Sequence, residues 1–203
     1  QWPKMGDYDF NDFVMNYSYE LEKGDNNMIT ALKLTFTPIA KGAASWTHIG
    51  VGIELPLSAD NIDKAKSEGA TLEEGNDRAT FIVWNDVNTA FGTTEGYVNT
   101  EGAAVGVSAI PVEVTVRLKT PVSSLLTQKF KPTKHADTSL FGTENDRSDP
   151  GAEVYYRMDN RYPWALDFPR KENSSPAWNY PKERVIITKA YPNYEKWVLD
   201  QSN

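Results

Sequence analysis

The chain has 203 residues, including six Trp, ten Tyr and eight Phe, so it can bury a sizeable core as one large β-domain. Its net charge of −7 argues against nucleic-acid binding, because a phosphate backbone calls for a positive surface. Cysteine is absent, which excludes disulfides, thiolate metal sites and cysteine nucleophiles. No apolar run approaches the roughly 20 residues that a membrane-spanning helix needs.

Strands are predicted wherever apolar and polar residues alternate with a period of two. The alternation is clearest in Val112, Val114, Val116 and Leu118, which are interleaved with polar residues. A turn-like segment at 23–27 separates the first two alternating stretches, which predicts a β-hairpin. The predicted strands cover residues 13–21, 28–36, 49–55, 79–84, 112–118 and 154–157.

Helices are predicted to be few and short. Residues 60–67 can form about two turns, and residues 186–197 have helix-compatible spacing that Pro192 interrupts. Gly, Asn, Asp and Thr favour long loops at 85–110 and 127–150. These features predict an all-β fold, an antiparallel, jelly-roll-like β-sandwich formed by the single domain 1–203, with long loops and one or two short helices.

The most informative motif is an acidic segment near the start of the chain. Calcium takes about six to eight oxygen ligands, and acidic or amide side chains at one-residue spacing can wrap around one ion. The predicted ligands are Asp7, Asp9, Asn11 and Asp12. The segment is not an EF-hand loop, because its sixth position is Asp rather than Gly and its twelfth is Ser18 rather than Glu.

Aromatic residues suggest how the acidic segment joins the first strand. Tyr8 and Phe10 occupy even positions, whereas the following strand is apolar at odd positions from Phe13 onward. A strand changes the parity of its buried face only at a bulge or turn, so a bend is predicted at 11–12 that gathers the acidic side chains. The alternative is a solvated acidic turn that Tyr8 and Phe10 anchor to the core.

No catalytic set is as clear as the acidic segment. His48 and His135 lie far apart, so the sequence gives no sign of a zinc hydrolase. Most of the tryptophans are expected to fill the core rather than form a sugar-stacking platform. Paired carboxylates nevertheless leave a carbohydrate-active hydrolase as the alternative function. The candidate pairs are Glu73 with Glu74, Glu144 with Asp146 and Asp149, and Asp159 with Asp167.

Six blocks of the sequence can be compared with a known family, and they lie at 2–14, 53–57, 131–133, 140–142, 162–169 and 190–197. Together these blocks resemble the LruC-type domain of Bacteroidetes surface proteins. The resemblance implies a secreted or lipid-anchored protein of the cell envelope, with an anchoring Cys upstream of Gln1 and this domain as the C-terminal part. It supplies no catalytic residues. Where the family pattern has an acidic pair after Val83, this chain reads Trp84-Asn85-Asp86, so a second cation site near Asp86 stays undecided.

The predicted function is therefore a non-catalytic, calcium-binding β-domain of the cell envelope. Adhesion or glycan binding is the predicted role, with a glycan or a host or matrix surface as the partner. Membrane association would come only from the upstream lipid anchor. A purely structural spacer is the third possibility.

Overall fold

The computed structural model describes residues 7–42, 49–92, 96–101, 106–125, 131–136, 166 and 178–199. Within these residues the strands are β1 (Val14–Lys23), β2 (Ile29–Ala40), β3 (Ile49–Ser58), β4 (Thr71–Leu72), β5 (Arg78–Trp84), β6 (Val112–Val122) and β7 (Lys131–Ala136). Two short 3₁₀ helices cover Ala59–Asn61 and Val87–Phe91, and two short α-helices are α1 (Ile187–Ala190) and α2 (Tyr194–Leu199).

The strands form two antiparallel sheets, which confirms the predicted all-β fold. One sheet has the order β1-β2-β6 and the other has the order β4-β5-β3-β7. β1 and β2 form the predicted hairpin, closed by a turn in which Asn27 donates to the Gly24 carbonyl. Asn27 has a positive φ of 62°, a conformation that asparagine tolerates better than most residues.

The main core takes side chains from both sheets. Phe36 and Val114 come from the first sheet, and Ile53 and Phe81 come from the second; all four are almost fully buried. Burying such a side chain contributes about 1.5–3 kcal/mol, so this alternating pattern is the main stabilising term of the fold. Trp84 belongs to the same core and packs edge-on against Phe13 and Phe36.

A second, smaller apolar cluster joins the two ends of the described chain. Tyr8 from the acidic segment is buried against Ile187 and Tyr194 of the C-terminal helices. The Tyr8 and Tyr194 hydroxyls are 3.2 Å apart, and their rings meet edge to face. Half-buried Phe10 and Trp197 are among the residues that pack against this C-terminal cluster. The acidic segment therefore lies between the sandwich and the C-terminal helices.

Two local predictions are wrong. The segment 60–67 is not a two-turn helix, because Ile62 is buried and forms a bridge with Leu118, and Glu68 forms another with Thr115. Instead, this segment runs alongside β6. Part of the predicted loop at 127–150 is strand β7, which pairs along β3.

The prediction of helical structure at 186–197, interrupted at Pro192, is confirmed, because α1 and α2 lie on either side of Pro192. The predicted strand at 154–157 lies outside the described residues. Among the described residues, no helix is long and apolar enough to cross a membrane.

Candidate metal centre

The acidic segment has an unusual backbone. Tyr8 and Phe10, on either side of Asp9, have positive φ values of 55° and 57°. Bulky residues rarely adopt this left-handed conformation, which costs roughly 1–2 kcal/mol each. The packing of both rings against Tyr194, with centroids about 6 Å away, helps to offset that cost. The predicted bend is thus present, but its left-handed residues are 8 and 10 rather than 11–12.

Three carboxylates converge at this bend. Asp7, Asp9 and Glu183 each offer an oxygen, and these oxygens lie within 4.8 Å of one another. Asp9 is only 1% exposed, and the Glu183 side chain is only 5% exposed. Three acids this close and this shielded from water repel one another strongly, so the arrangement calls for a compensating charge.

An amide oxygen faces the same place. Asn11 is fully buried, and its Oδ1 has no hydrogen-bond partner among the described residues. Asp7 Oδ1 and Glu183 Oε2 are likewise buried and have no hydrogen-bond partner among the described residues. A Cβ on Gly42 would lie 2.0 Å from Asn11 Oδ1 and 2.7 Å from Glu183 Oε2, so both oxygens crowd the same glycine at the end of β2. Buried polar atoms are normally satisfied, and three unpaired oxygens in one place indicate a missing partner.

Backbone groups fix the positions of these side chains. The Arg184 N–H donates to Asp9 Oδ2 at 2.8 Å, and the Asn11 N–H donates to Asp9 Oδ1 at 3.4 Å. Asn11 Nδ2 donates to the Pro181 carbonyl at 3.2 Å, which leaves its Oδ1 directed elsewhere. The Gly42 N–H donates to the Asn11 carbonyl at 2.8 Å and so ties the segment to β2.

The electrostatics of the centre are dominated by burial. Burial, together with the charges of Asp7 and Asp12, raises the pKa of Asp9 to about 6. Burial, followed by the charges of Asp9, Asp7 and Asp12, raises the pKa of Glu183 to about 7. The exposed Arg184 guanidinium lies 3.9 Å from Glu183 Oε1 and opposes this shift only in part.

Three of the four predicted ligands meet at this centre. Asp7 and Asp9 are in the converging set, and Asn11 points an unpaired oxygen beside Glu183. Asp12 is not in the converging set, although its charge contributes to the raised pKa values of Asp9 and Glu183. Sequence reasoning missed Glu183, which follows the motif by more than 170 residues and sits in the mixed-charge run 182–184. No spacing rule connects such distant positions.

Among the other candidates, those that lie in the described residues show no comparable geometry. Of the acidic pairs considered for a hydrolase, only Glu73 and Glu74 lie in the described residues. Glu73 accepts a hydrogen bond from Asn76, and Glu74 pairs with Lys64 at 3.7 Å. Of the tryptophans, Trp84 is in the main core, as expected, and Trp46 and Trp164 lie outside the described residues.

The donor set determines which ions suit the centre. All of its groups are carboxylate or amide oxygens, which hard cations prefer over imidazole or thiolate. Calcium holds its ligands at about 2.3–2.6 Å and accepts irregular, partly bidentate coordination. A single ion of that kind can bridge oxygens separated by 4.8 Å. The two oxygens of Asp9 keep free lone pairs beside their backbone hydrogen bonds, so they can still coordinate.

Comparison with known proteins gives a family but no activity. No curated protein and no solved structure matches the chain. A family known only as a domain of unknown function, DUF4842, matches residues 27–128 and 126–203. The second match contains Glu183, and the acidic segment precedes the first. Since the two matches cover most of the sequence, the chain belongs to the DUF4842 family.

Proposed function

We propose that this protein is a calcium-binding β-sandwich module in which one ion joins the acidic segment to the C-terminal segment. The observation that carries the proposal is the set of unpaired, shielded oxygens on Asp7, Asn11 and Glu183 around buried Asp9. The fully solvated turn considered as the alternative does not fit, because Asp9 and Asn11 are withdrawn from water.

A cation would remove two unfavourable terms at once. It would neutralise the repulsion among the three carboxylates, and it would give the unpaired oxygens a partner. Asp7, Asp9, Asn11 and Glu183 would supply the protein ligands. Because calcium takes about six to eight oxygens, bidentate carboxylates, backbone carbonyls or water would complete the set.

The proposed biological setting is the cell envelope, with adhesion or glycan binding as the role of the sandwich. This part comes from the resemblance to surface domains, and the structure of the centre bears only on the ion. Binding to glycan arrays and to host-matrix proteins would test it. A hydrolase would instead show turnover on a polysaccharide panel, abolished by a single carboxylate substitution.

Thermal unfolding with calcium and with a chelator tests the ion directly. The parent protein should melt at a higher temperature in calcium, with a stabilisation of about 2.7 kcal/mol at a hundred times the dissociation constant. Asp9→Asn removes a ligand charge and should abolish this difference. Gly42→Ala leaves every charge in place but fills the space beside Asn11 and Glu183, so it should weaken calcium binding as well.

Glu20→Gln is the matched control, because Glu20 is an exposed acid on β1, away from the centre. It should keep the full calcium response. Equal melting temperatures of the parent in millimolar calcium and in chelator would refute the proposal. Magnesium measured in parallel distinguishes the ions, since its shorter ligand distances, about 2.0–2.1 Å, suit a tighter site.

A further inference from the structure

A buried lysine lies outside the proposed metal centre. Lys41 is fully buried, and its Nζ donates to Asn88 Oδ1 at 2.7 Å. An ammonium group has three donors, and Asn88 is the one acceptor that the described residues give it. Burying a charge with so few partners is costly, so the site favours the neutral amine. Burial accordingly lowers the pKa of Lys41, and the charge of Asp86 opposes this only in part.

The two partners are held on separate parts of the fold. Lys41 follows β2 and exchanges two backbone hydrogen bonds of 2.8 Å with Val98. Asn88 is 3% exposed and lies in the second 3₁₀ helix, directly after β5 of the other sheet. Asp86 caps this helix by accepting the Asn88 N–H at 2.8 Å. The amine, the amide and a carboxylate are therefore placed together before any reaction.

We propose that Lys41 and Asn88 form an intramolecular isopeptide bond. The Lys41 amine attacks Cγ of Asn88, the new Nζ–Cγ bond forms, and the Cγ–Nδ2 bond breaks. The side-chain nitrogen of Asn88 leaves as ammonia, carrying the proton that Nζ loses. No oxidant or co-reactant is consumed, and the Asp86 carboxylate can pass the proton from Nζ to the leaving nitrogen.

Placement and composition agree with such a bond. Two groups that the fold holds in contact react intramolecularly and therefore faster than free groups would. A site shielded from water also keeps water from competing as the nucleophile. The bond would connect the first sheet to the segment after β5, across the sandwich. The chain has no cysteine, so this cross-link would supply a covalent connection that disulfides cannot.

Peptide mapping of the folded protein tests the bond. The intact mass should fall by about 17 Da, the mass of the ammonia released in acyl transfer to the amine. Cyclisation of Gln1 releases ammonia too, so the bond must be localised. Trypsin cannot cleave after an acylated lysine, and the digest should contain residues 34–64 joined to residues 79–117.

Three variants complete the experiment. Asn88→Ala should restore cleavage after Lys41. Asp86→Asn keeps a capping oxygen for the helix but carries no proton, so the cross-linked fraction should form at least about tenfold more slowly. The control substitution Glu20→Gln, at an exposed acid on β1, should leave the cross-link intact. Complete cleavage after Lys41 in the folded parent, after prolonged incubation at neutral pH with or without calcium, would overturn the proposal. That result would leave calcium binding by the separate metal centre unaffected.

Discussion

Two buried carboxyl groups, Asp9 and Glu183, determine how the stability of the ion-free protein depends on pH. Their folded pKa values, about 6 and about 7, lie above the ordinary values of 3.8 and 4.5. The folded state therefore binds protons more tightly than the unfolded state, and its stability falls as the pH rises through this range. We expect the free energy of unfolding in chelator to drop by on the order of 3 kcal/mol between pH 4.5 and 7.5.

Calcium should remove this trend, because protons and the ion compete for the same oxygens. In saturating calcium, the free energy of unfolding should rise slightly up to about pH 5.5, where the carboxyl groups of the unfolded chain lose their last protons, and then stay level. Denaturant titrations at several pH values, in chelator and in calcium, measure both slopes. Glu183→Gln, which no longer titrates, should flatten the slope in chelator. Parallel pH profiles in calcium and chelator would contradict a shared site.

At the level of single residues, the sequence revealed only the local half of the centre. Asp7, Asp9 and Asn11 could be selected because they lie within one segment and share one chemistry. Glu183 could not be selected, because its partners come from the packing of α1 and α2 against Tyr8. Lys41 and Asn88 were missed for the same reason, since a distant contact leaves no periodic signal.

The acidic segment and the C-terminal segment 178–199 depend on each other as elements. Arg184 donates its backbone N–H to Asp9 Oδ2, and Ile187 donates its backbone N–H to the Tyr8 carbonyl, both at 2.8 Å. Without an ion, repulsion among the carboxylates opposes this docking. We expect the amides of Arg184 and Ile187 to exchange with solvent at least about tenfold faster in chelator than in calcium.

Hydrogen exchange followed by mass spectrometry or NMR measures this difference. Amides of β2 and β6, which form the sheet ladder between residues 29–36 and 112–122, are the internal reference. Their exchange should stay the same in both conditions. If residues 178–199 were protected from exchange equally in chelator and in calcium, the segment would dock without the ion.

Strands with regular alternation were predictable, and irregular elements were not. β2 and β6 carry apolar side chains every second residue, so their positions follow from the sequence alone. β7 reads Lys131-Pro-Thr-Lys-His-Ala136, which has no apolar alternation, so its pairing with β3 could not be predicted from the sequence pattern. The segment 60–67 resembles a helix locally, but the burial of Ile62 beside β6 decides its path.

The described residues form two apolar clusters of unequal size. The main core joins both sheets, whereas the C-terminal cluster joins Tyr8 and Phe10 to the C-terminal segment. We therefore expect the main core to hold the sandwich without the ion. The C-terminal cluster is small, and its attachment runs through the acidic segment, so its stability should follow the occupancy of the metal centre.

Substitutions in the two clusters should therefore respond differently to calcium. Phe36→Ala empties a fully buried site in the main core and should cost about 3–5 kcal/mol in calcium and in chelator alike.

Tyr194→Ala removes the ring that packs on Tyr8 and Phe10, so it should lower calcium affinity as well as stability. In chelator, where we expect the C-terminal segment to be loosened already, Tyr194→Ala should cost much less than in calcium. Unfolding followed by far-UV circular dichroism and by tryptophan fluorescence, together with a calcium titration of each variant, measures these effects. If Tyr194→Ala cost the same in calcium and in chelator and left calcium affinity unchanged, the C-terminal cluster would be independent of the ion.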